Sequence, residues 1–250
     1  MNDTTPCDND SIPYISVIIP VYNCASYIKE AIDSVLRQQY SQLEILVVDD
    51  GSTDGTLKVL KEYGDQIVII EQENKGPSSA RNAGIKRAKG EIIGFVDSDD
   101  MWTSNHLEVL LPLLQNDPAC MLARGYVEFV RFRDNQSKEI VERTEGLFME
   151  ALVGACLYRA DTFKVVGLFD ETMRSGEDFD WNIRFSESGL PQTIIKDIVL
   201  SYRRHENNMT NSKECMAGGQ FGAFRRKLER ARSRVSSVSS SDTDKHVYTT

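Results

Sequence analysis

The sequence predicts an α/β protein, with a mixed, mainly parallel sheet flanked by helices and a smaller antiparallel portion towards the C-terminus. Apolar runs without polar alternation recur between residues 15 and 96, the pattern of strands buried on both faces. Helical segments separate these runs, as in consecutive βαβ units. Beyond about residue 118, aromatic and β-branched stretches joined by turn residues replace that alternation, which suggests partly antiparallel pairing.

Composition narrows the class before any motif is read. The chain has 250 residues, 40% hydrophobic and 27% charged, enough for one large domain with a sizeable core. A net charge of −9 disfavours a sequence-independent nucleic-acid binder, which needs a basic surface to displace counterions. The five cysteines (Cys7, Cys24, Cys120, Cys156, Cys215) are scattered without a CxxC pair, so neither a zinc cage nor a disulfide framework is expected. Reduced thiols in the cytoplasm are the simplest account. The polar, acidic stretch 1–11 is not expected to act as a signal peptide, and no apolar run in the sequence approaches the length needed to span a bilayer.

Residues 1–13 lack periodicity and are expected to form a loose tail. A buried strand follows over 15–21, which Pro20 should end because it cannot donate to a ladder. Ser26 is placed to cap a helix with Ile28, Ile32, Val35 and Leu36 on its apolar face. The second strand, 43–48, runs into Asp49, Asp50, Gly51 and Ser52. A short helix over 56–63 and a third strand over 67–70 follow. Pro77 then falls at the first position of a helix whose Ala80, Ala83, Gly84 and Ala88 allow close packing on the sheet. The fourth strand, 92–96, ends abruptly in Asp97, Ser98, Asp99 and Asp100.

A helix carrying Leu107, Leu110, Leu111 and Leu114 should stop near Pro118. Strands are expected over 121–132 and 139–141 around a turn at Asp134 and Asn135, then over 154–158. Gly176, Glu177 and Asp178 open a helix ending near Gly189. One or two strands over 193–202 lead to Arg203, Arg204 and His205. The expected organisation is one domain over 14–212, with one half at about 14–102 and the other at about 103–212. A helix over 213–235 and an unstructured Ser/Thr-rich tail over 236–250 complete it.

Acids recur where a parallel sheet binds ligands, beyond the carboxyl ends of its strands. Three carboxylates within four residues, at 97–100, repel unless a cation lies between them, and a divalent ion held with a phosphorylated ligand answers that need. The alternative is helix capping by Asp99 or Asp100. A mononucleotide at this edge would stack on Tyr22 and bond to Asp50, although Asp50 also suits a turn before Gly51. With neither a dinucleotide fingerprint nor a P-loop, the phosphates would need a metal.

Five blocks in order resemble the family 2 glycosyltransferases, which have the GT-A fold: Val17-Ile18-Ile19-Pro20-Val21-Tyr22-Asn23, Val47-Val48-Asp49-Asp50-Gly51-Ser52-Thr53-Asp54, Gly76-Pro77-Ser78-Ser79-Ala80-Arg81-Asn82, the stretch 90–100, and Gly176-Glu177-Asp178-Phe179-Asp180-Trp181. The resemblance covers about residues 15–210. It implies transfer of a sugar from a nucleotide diphosphate donor, UDP being the commonest, to a hydroxyl of a glycan or lipid-linked saccharide. It places Pro20, Val21, Tyr22, Asn23, Asp50, Ser52, Gly76, Arg81, Asp97, Ser98 and Arg204 on the donor side. It implies Mn²⁺ or Mg²⁺ on Asp99 and His205, inversion with Asp178 as base, and Glu177 orienting the acceptor. Arg203 would join Arg204 at the diphosphate. The two acids also complement a helix dipole on their own.

Two rival readings remain: a sugar nucleotidyltransferase, for which a Gly-rich loop and lysine after the first strand are missing, and a non-catalytic module, which would have lost its acids. For the basic helix beyond 213, the plainer expectation is packing through Phe221, Phe224 and Leu228 with its charges outward. Peripheral association with a membrane, at its inner face, is the second reading.

Overall fold

The computed structural model describes residues 12–133, 140–147, 152–173, 175–206, 208, 211 and 213–241. The expected turn at Asp134 and Asn135 and most of the N-terminal tail lie outside these. In chain order the first half comprises β1 (Ile15–Val21), α1 (Ile28–Leu36), β2 (Leu43–Asp49), α2 (Thr56–Lys61), β3 (Val68–Glu71), α3 (Pro77–Arg87) and β4 (Ile92–Phe95). The second half comprises β5 (Met101–Trp102), α4 (His106–Asn116), β6 (Leu122–Phe132), β7 (Ile140–Leu147), β8 (Cys156–Arg159), α5 (Thr162–Val166), α6 (Glu177–Ser188), β9 (Gln192–Arg203) and α7 (Lys213–Ser241). One sheet runs β3-β2-β1-β4-β8-β6-β9-β5, with β7 beside β6. Strands β3, β2, β1 and β4 are parallel, whereas β8 is antiparallel to both β4 and β6.

The unbroken apolar runs feed two cores. Val17 and Ile19 of β1 pack with α1 and α4, while Ile18 between them joins Leu46, Phe95 and the aromatic group around Trp181 on the other face. The small residues of α3 do bring it close: a Cβ on Gly84 would sit 2.4 Å from Ile18 Cγ2.

Four expectations are corrected. Pro20 does not end β1. The N–H of Val96 bonds to Ile18 O and the β1–β4 ladder stops at Ile18, so the missing N–H of Pro20 falls where that edge needs none. The other edge of β1 keeps pairing with β2 through Val21. Ser26 does not cap α1, which begins at Ile28 after Cys24 O has accepted the N–H groups of Tyr27 and Ile28.

Asp99 and Asp100 do not cap a helix either. Met101 and Trp102 pair with β9, Asp100 accepts the backbone N–H of Arg203 at 2.9 Å, and α4 starts only at His106. Finally, α7 extends to Ser241, into the segment expected to be unstructured, and its faces are the reverse of the plainer expectation. Ala223 is buried, Arg226 bonds Asp170 (2.6 Å) and Arg230 bonds Asp180 (2.8 Å) and Glu187 (3.3 Å). Phe221, Phe224 and Leu228 point outward. Acids on α6 and the loop before it select the arginine face, since unpaired carboxylates there would cost more than exposed apolar side chains.

Candidate functional site

The parallel registers bring the carboxyl ends of β1, β2 and β4 to one edge. Tyr22, just past β1, is 50% exposed, with its ring available for stacking. Asn23 takes a left-handed conformation (φ 49°) and holds the loop after β2: its N–H bonds Ser52 Oγ (2.9 Å) and its Oδ1 accepts from Thr53 N (2.8 Å). Asp50 is buried and accepts from Gln72 Nε2 (2.7 Å), Lys75 N (2.9 Å) and Gly76 N (2.7 Å), so it fastens the loop before α3 at this edge. The neighbouring Asp49, which the sequence reading passed over, is buried with Oδ1 unpartnered and Oδ2 accepting from Ser52 N. The signal was present, an acid closing an apolar strand.

Arg81, near the start of α3, is buried between two acids. Its Nη2 donates to Asp97 at 2.7 Å and its Nη1 to Glu177 at 2.6 Å. Burial alone would lower its pKa, and the carboxylates of Asp97 and Glu177 reverse that, so it stays a cation. The end of β4 is thereby joined to the start of α6 through Arg81, which lies 96 positions before Glu177. Asp178 follows Glu177 in the first turn of α6 and accepts the N–H of Phe179 at 2.7 Å. Burial, then the charge of Glu177, pushes its pKa up to about 7 against the pull of Arg81. Asn182 bridges from the Asp178 carbonyl (2.9 Å) to Arg124 of β6 (2.9 Å), neither of which the sequence singled out.

Asp99 and His205 meet although 106 positions separate them, with Oδ2 3.0 Å from Nε2. His205 stacks on Tyr27 (4.6 Å between centroids), and its N–H donates to Asn208 Oδ1 at 2.5 Å. Beside them Arg203 is buried between the rings of Tyr27 and Phe132, bonds Glu30, and donates its Nε to the Asp99 carbonyl at 3.0 Å. Arg203 thus holds the acidic loop by its backbone instead of facing a diphosphate. Arg204 is turned to the other face of the strand, its guanidinium over Phe129 (4.3 Å) and 3.7 Å from Glu142. Asp100 is buried next to these acids, and burial followed by the charges of Asp99 and Asp97 raises its pKa well above the usual carboxylate range. Ser98 lies between the acids, its carbonyl accepting from Cys24 Sγ at 3.5 Å.

The Asp99–His205 pair fits a small divalent ion. A carboxylate and an imidazole are donors that would suit Mn²⁺, and here the two bond each other directly at 3.0 Å. Among the described residues no group of three or more His, Cys, Asp or Glu is arranged to hold a metal, so this pair leaves most of a coordination shell to other ligands.

Residues 16–163 match the family model described as glycosyl transferase family 2. The chain belongs to glycosyltransferase family 2. With the family comes its reaction, transfer of a sugar from a nucleotide-linked donor. An uncharacterized glycosyltransferase of Rickettsia typhi is 34% identical over 82% of this chain and 68% of its own length. The uncharacterized glycosyltransferase EpsJ of Bacillus subtilis is 31% identical over 80% of this chain and 63% of its own. Among solved structures of the GT-A fold, Staphylococcus aureus TarS in complex with UDP-GlcNAc aligns with a TM-score of 0.65 at 23% identity, over 80% of this chain and 61% of that one. The mannosyltransferase PcManGT of Pyrobaculum calidifontis, in complex with GDP-Man and Mn²⁺, aligns with a TM-score of 0.68 at 21% identity, over 88% and 65%. This family 2 chain spans about two thirds of the length of these four proteins and 34% of that of an uncharacterized glycosyltransferase of Rickettsia bellii.

Proposed function

We propose that this protein is an inverting, metal-dependent glycosyltransferase that moves a sugar from a nucleotide diphosphate donor, a UDP-sugar, to a hydroxyl of a glycan or lipid-linked saccharide during assembly of a cell-surface polysaccharide. One observation supports it most: the Asp97–Arg81–Glu177 chain, which holds Asp178, a half-buried carboxyl whose pKa is pushed up to about 7, beside the strand ends that carry Asp50 and Asp99. In this reading the base stacks on Tyr22 and bonds the Asp49–Asp50 strand end, and the ribose and phosphates lie along Asp97 and Ser98.

Asp178 accepts the proton of the attacking hydroxyl. A carboxylate with a pKa near the working pH combines the right protonation state with useful basicity. Glu177 keeps Arg81 in place and, through it, the acidic loop. Asp99 and His205 would hold Mn²⁺ or Mg²⁺, which supplies charge neutralisation for a departing diphosphate.

Titration calorimetry with UDP, with and without Mn²⁺, tests the donor site. Asp99→Ala is expected to reduce UDP affinity in Mn²⁺ to the metal-free level; unchanged affinity would remove Asp99 from the metal site.

A further inference from the structure

We infer that the outward face of α7 is a docking surface for an anionic lipid bilayer. Three large apolar side chains lie on one stripe over two turns: Phe221, Phe224 and Leu228, 75%, 58% and 60% exposed. Such a face with basic flanks is the pattern of a helix lying in the membrane interface. Exposed Arg225 and Arg232 border the stripe on one side and exposed Lys227 on the other. Glu229 is the exposed acid nearby, paired with Arg225 at 2.9 Å. Over its length α7 carries seven Lys and Arg against two Glu, while the whole chain has a net charge of −9. Of these, Arg225, Lys227 and Arg232 flank the apolar stripe, while Arg226 and Arg230 face the acids of the body of the protein.

Charge decides between the two candidate occupants. Pairing the stripe with a second copy would bring like-charged flanks together, and like charges across an interface oppose association. Headgroup phosphates complement them. Among the described residues no helix is long and apolar enough to cross a membrane, so the contact is interfacial.

The inner face of α7 touches the site. Its Gly219 packs against Gly176, the residue before Glu177 and Asp178; a Cβ on Gly176 would come within 2.6 Å of Gly219 O. A bilayer on the outward face of α7 would thus be separated by the helix itself from the turn that carries Asp178. Such docking deepens the reading of a lipid-linked acceptor, and binding is measured without any sugar transfer.

The test is flotation of the full chain with phosphatidylcholine vesicles, with and without phosphatidylglycerol, at low and high salt. Binding is expected only with phosphatidylglycerol, weakening as salt rises. The combined Phe221→Ser, Phe224→Ser and Leu228→Ser variant is expected to lose at least about tenfold in vesicle affinity. Charge reversal at Arg225, Lys227 and Arg232 should cost about a hundredfold. UDP affinity in solution should stay at the wild-type value in both variants, which reports an intact fold and donor site. Equal binding to neutral vesicles, no binding, or unimpaired variants would overturn the inference. So would sedimentation showing a dimer that the serine variant dissociates. Loss of UDP binding by the wild-type protein would instead count against the proposed function and leave the surface standing.

Discussion

At the scale of single residues, the site turns on carboxylates given different surroundings. Asp99 is partly exposed beside an imidazole, Asp50 accepts from three donors of its own neighbourhood, and Asp178 is desolvated beside Glu177. Asp178 is tuned towards neutrality, as base chemistry requires. Transfer is therefore expected to rise with pH through about 7 as Asp178 loses its proton, and Asp178→Asn should abolish turnover while UDP binding survives. The same shift has a sign for stability. The folded state keeps a proton on Asp178 between the ordinary carboxylate range and about 7, so this group's contribution is full at low pH and is lost as pH rises through 7. Thermal melts of Asp178→Asn should match wild type near pH 4 and exceed it at pH 8; a variant less stable at both would contradict the assignment.

At the scale of elements, the start of α6 is held by a close crossing. Gly176 has φ 73°, and a Cβ there would lie 2.5 Å from the Gly219 backbone. Gly189, which ends the same helix at φ 69°, would meet nothing within 4 Å. Comparing alanine at the two sites separates backbone conformation from packing. Gly189→Ala should cost about 1–2 kcal/mol, the left-handed penalty alone, with activity kept. Gly176→Ala should cost a further 1–3 kcal/mol from overpacking and lower kcat, because the turn carrying Asp178 must shift. Denaturant unfolding and steady-state rates measure both; equal losses at the two glycines would show that the crossing places no constraint on the site.

At the scale of the whole molecule, Arg81 joins the parallel half to the α6 side. Both its acids are at least two-thirds buried as side chains, and it is itself 7% exposed. Removing one member of a buried ionic group leaves the others uncompensated. Arg81→Met is expected to cost about 3–5 kcal/mol in denaturant unfolding. Arg81→Lys should recover little of it, since one ammonium cannot reproduce the two directed bonds of a guanidinium. A loss below about 1 kcal/mol, the scale of an exposed pair, would show the link to be ornamental.

Much of this was legible in the sequence, because local rules governed it. Apolar runs such as 15–21 and 43–49, with no alternation, require cover on both faces and so imply a parallel core. A parallel sheet in turn gathers the acids after β2 and β4 at one edge. Pro77 and the small residues after it marked α3 and its close approach to the sheet. What the sequence alone could not decide was which partner each charged group meets across distance. Arg81 reads as a solvated helix arginine until α6 brings Glu177 to it, and Arg203 and Arg204 are indistinguishable until strand alternation turns one inward and the other out. The two stripes of α7 satisfy any helical periodicity rule equally well. Asp170, Asp180 and Glu187 chose between them, since the energy of a buried charge is set by its neighbours in space and not by its neighbours in the chain.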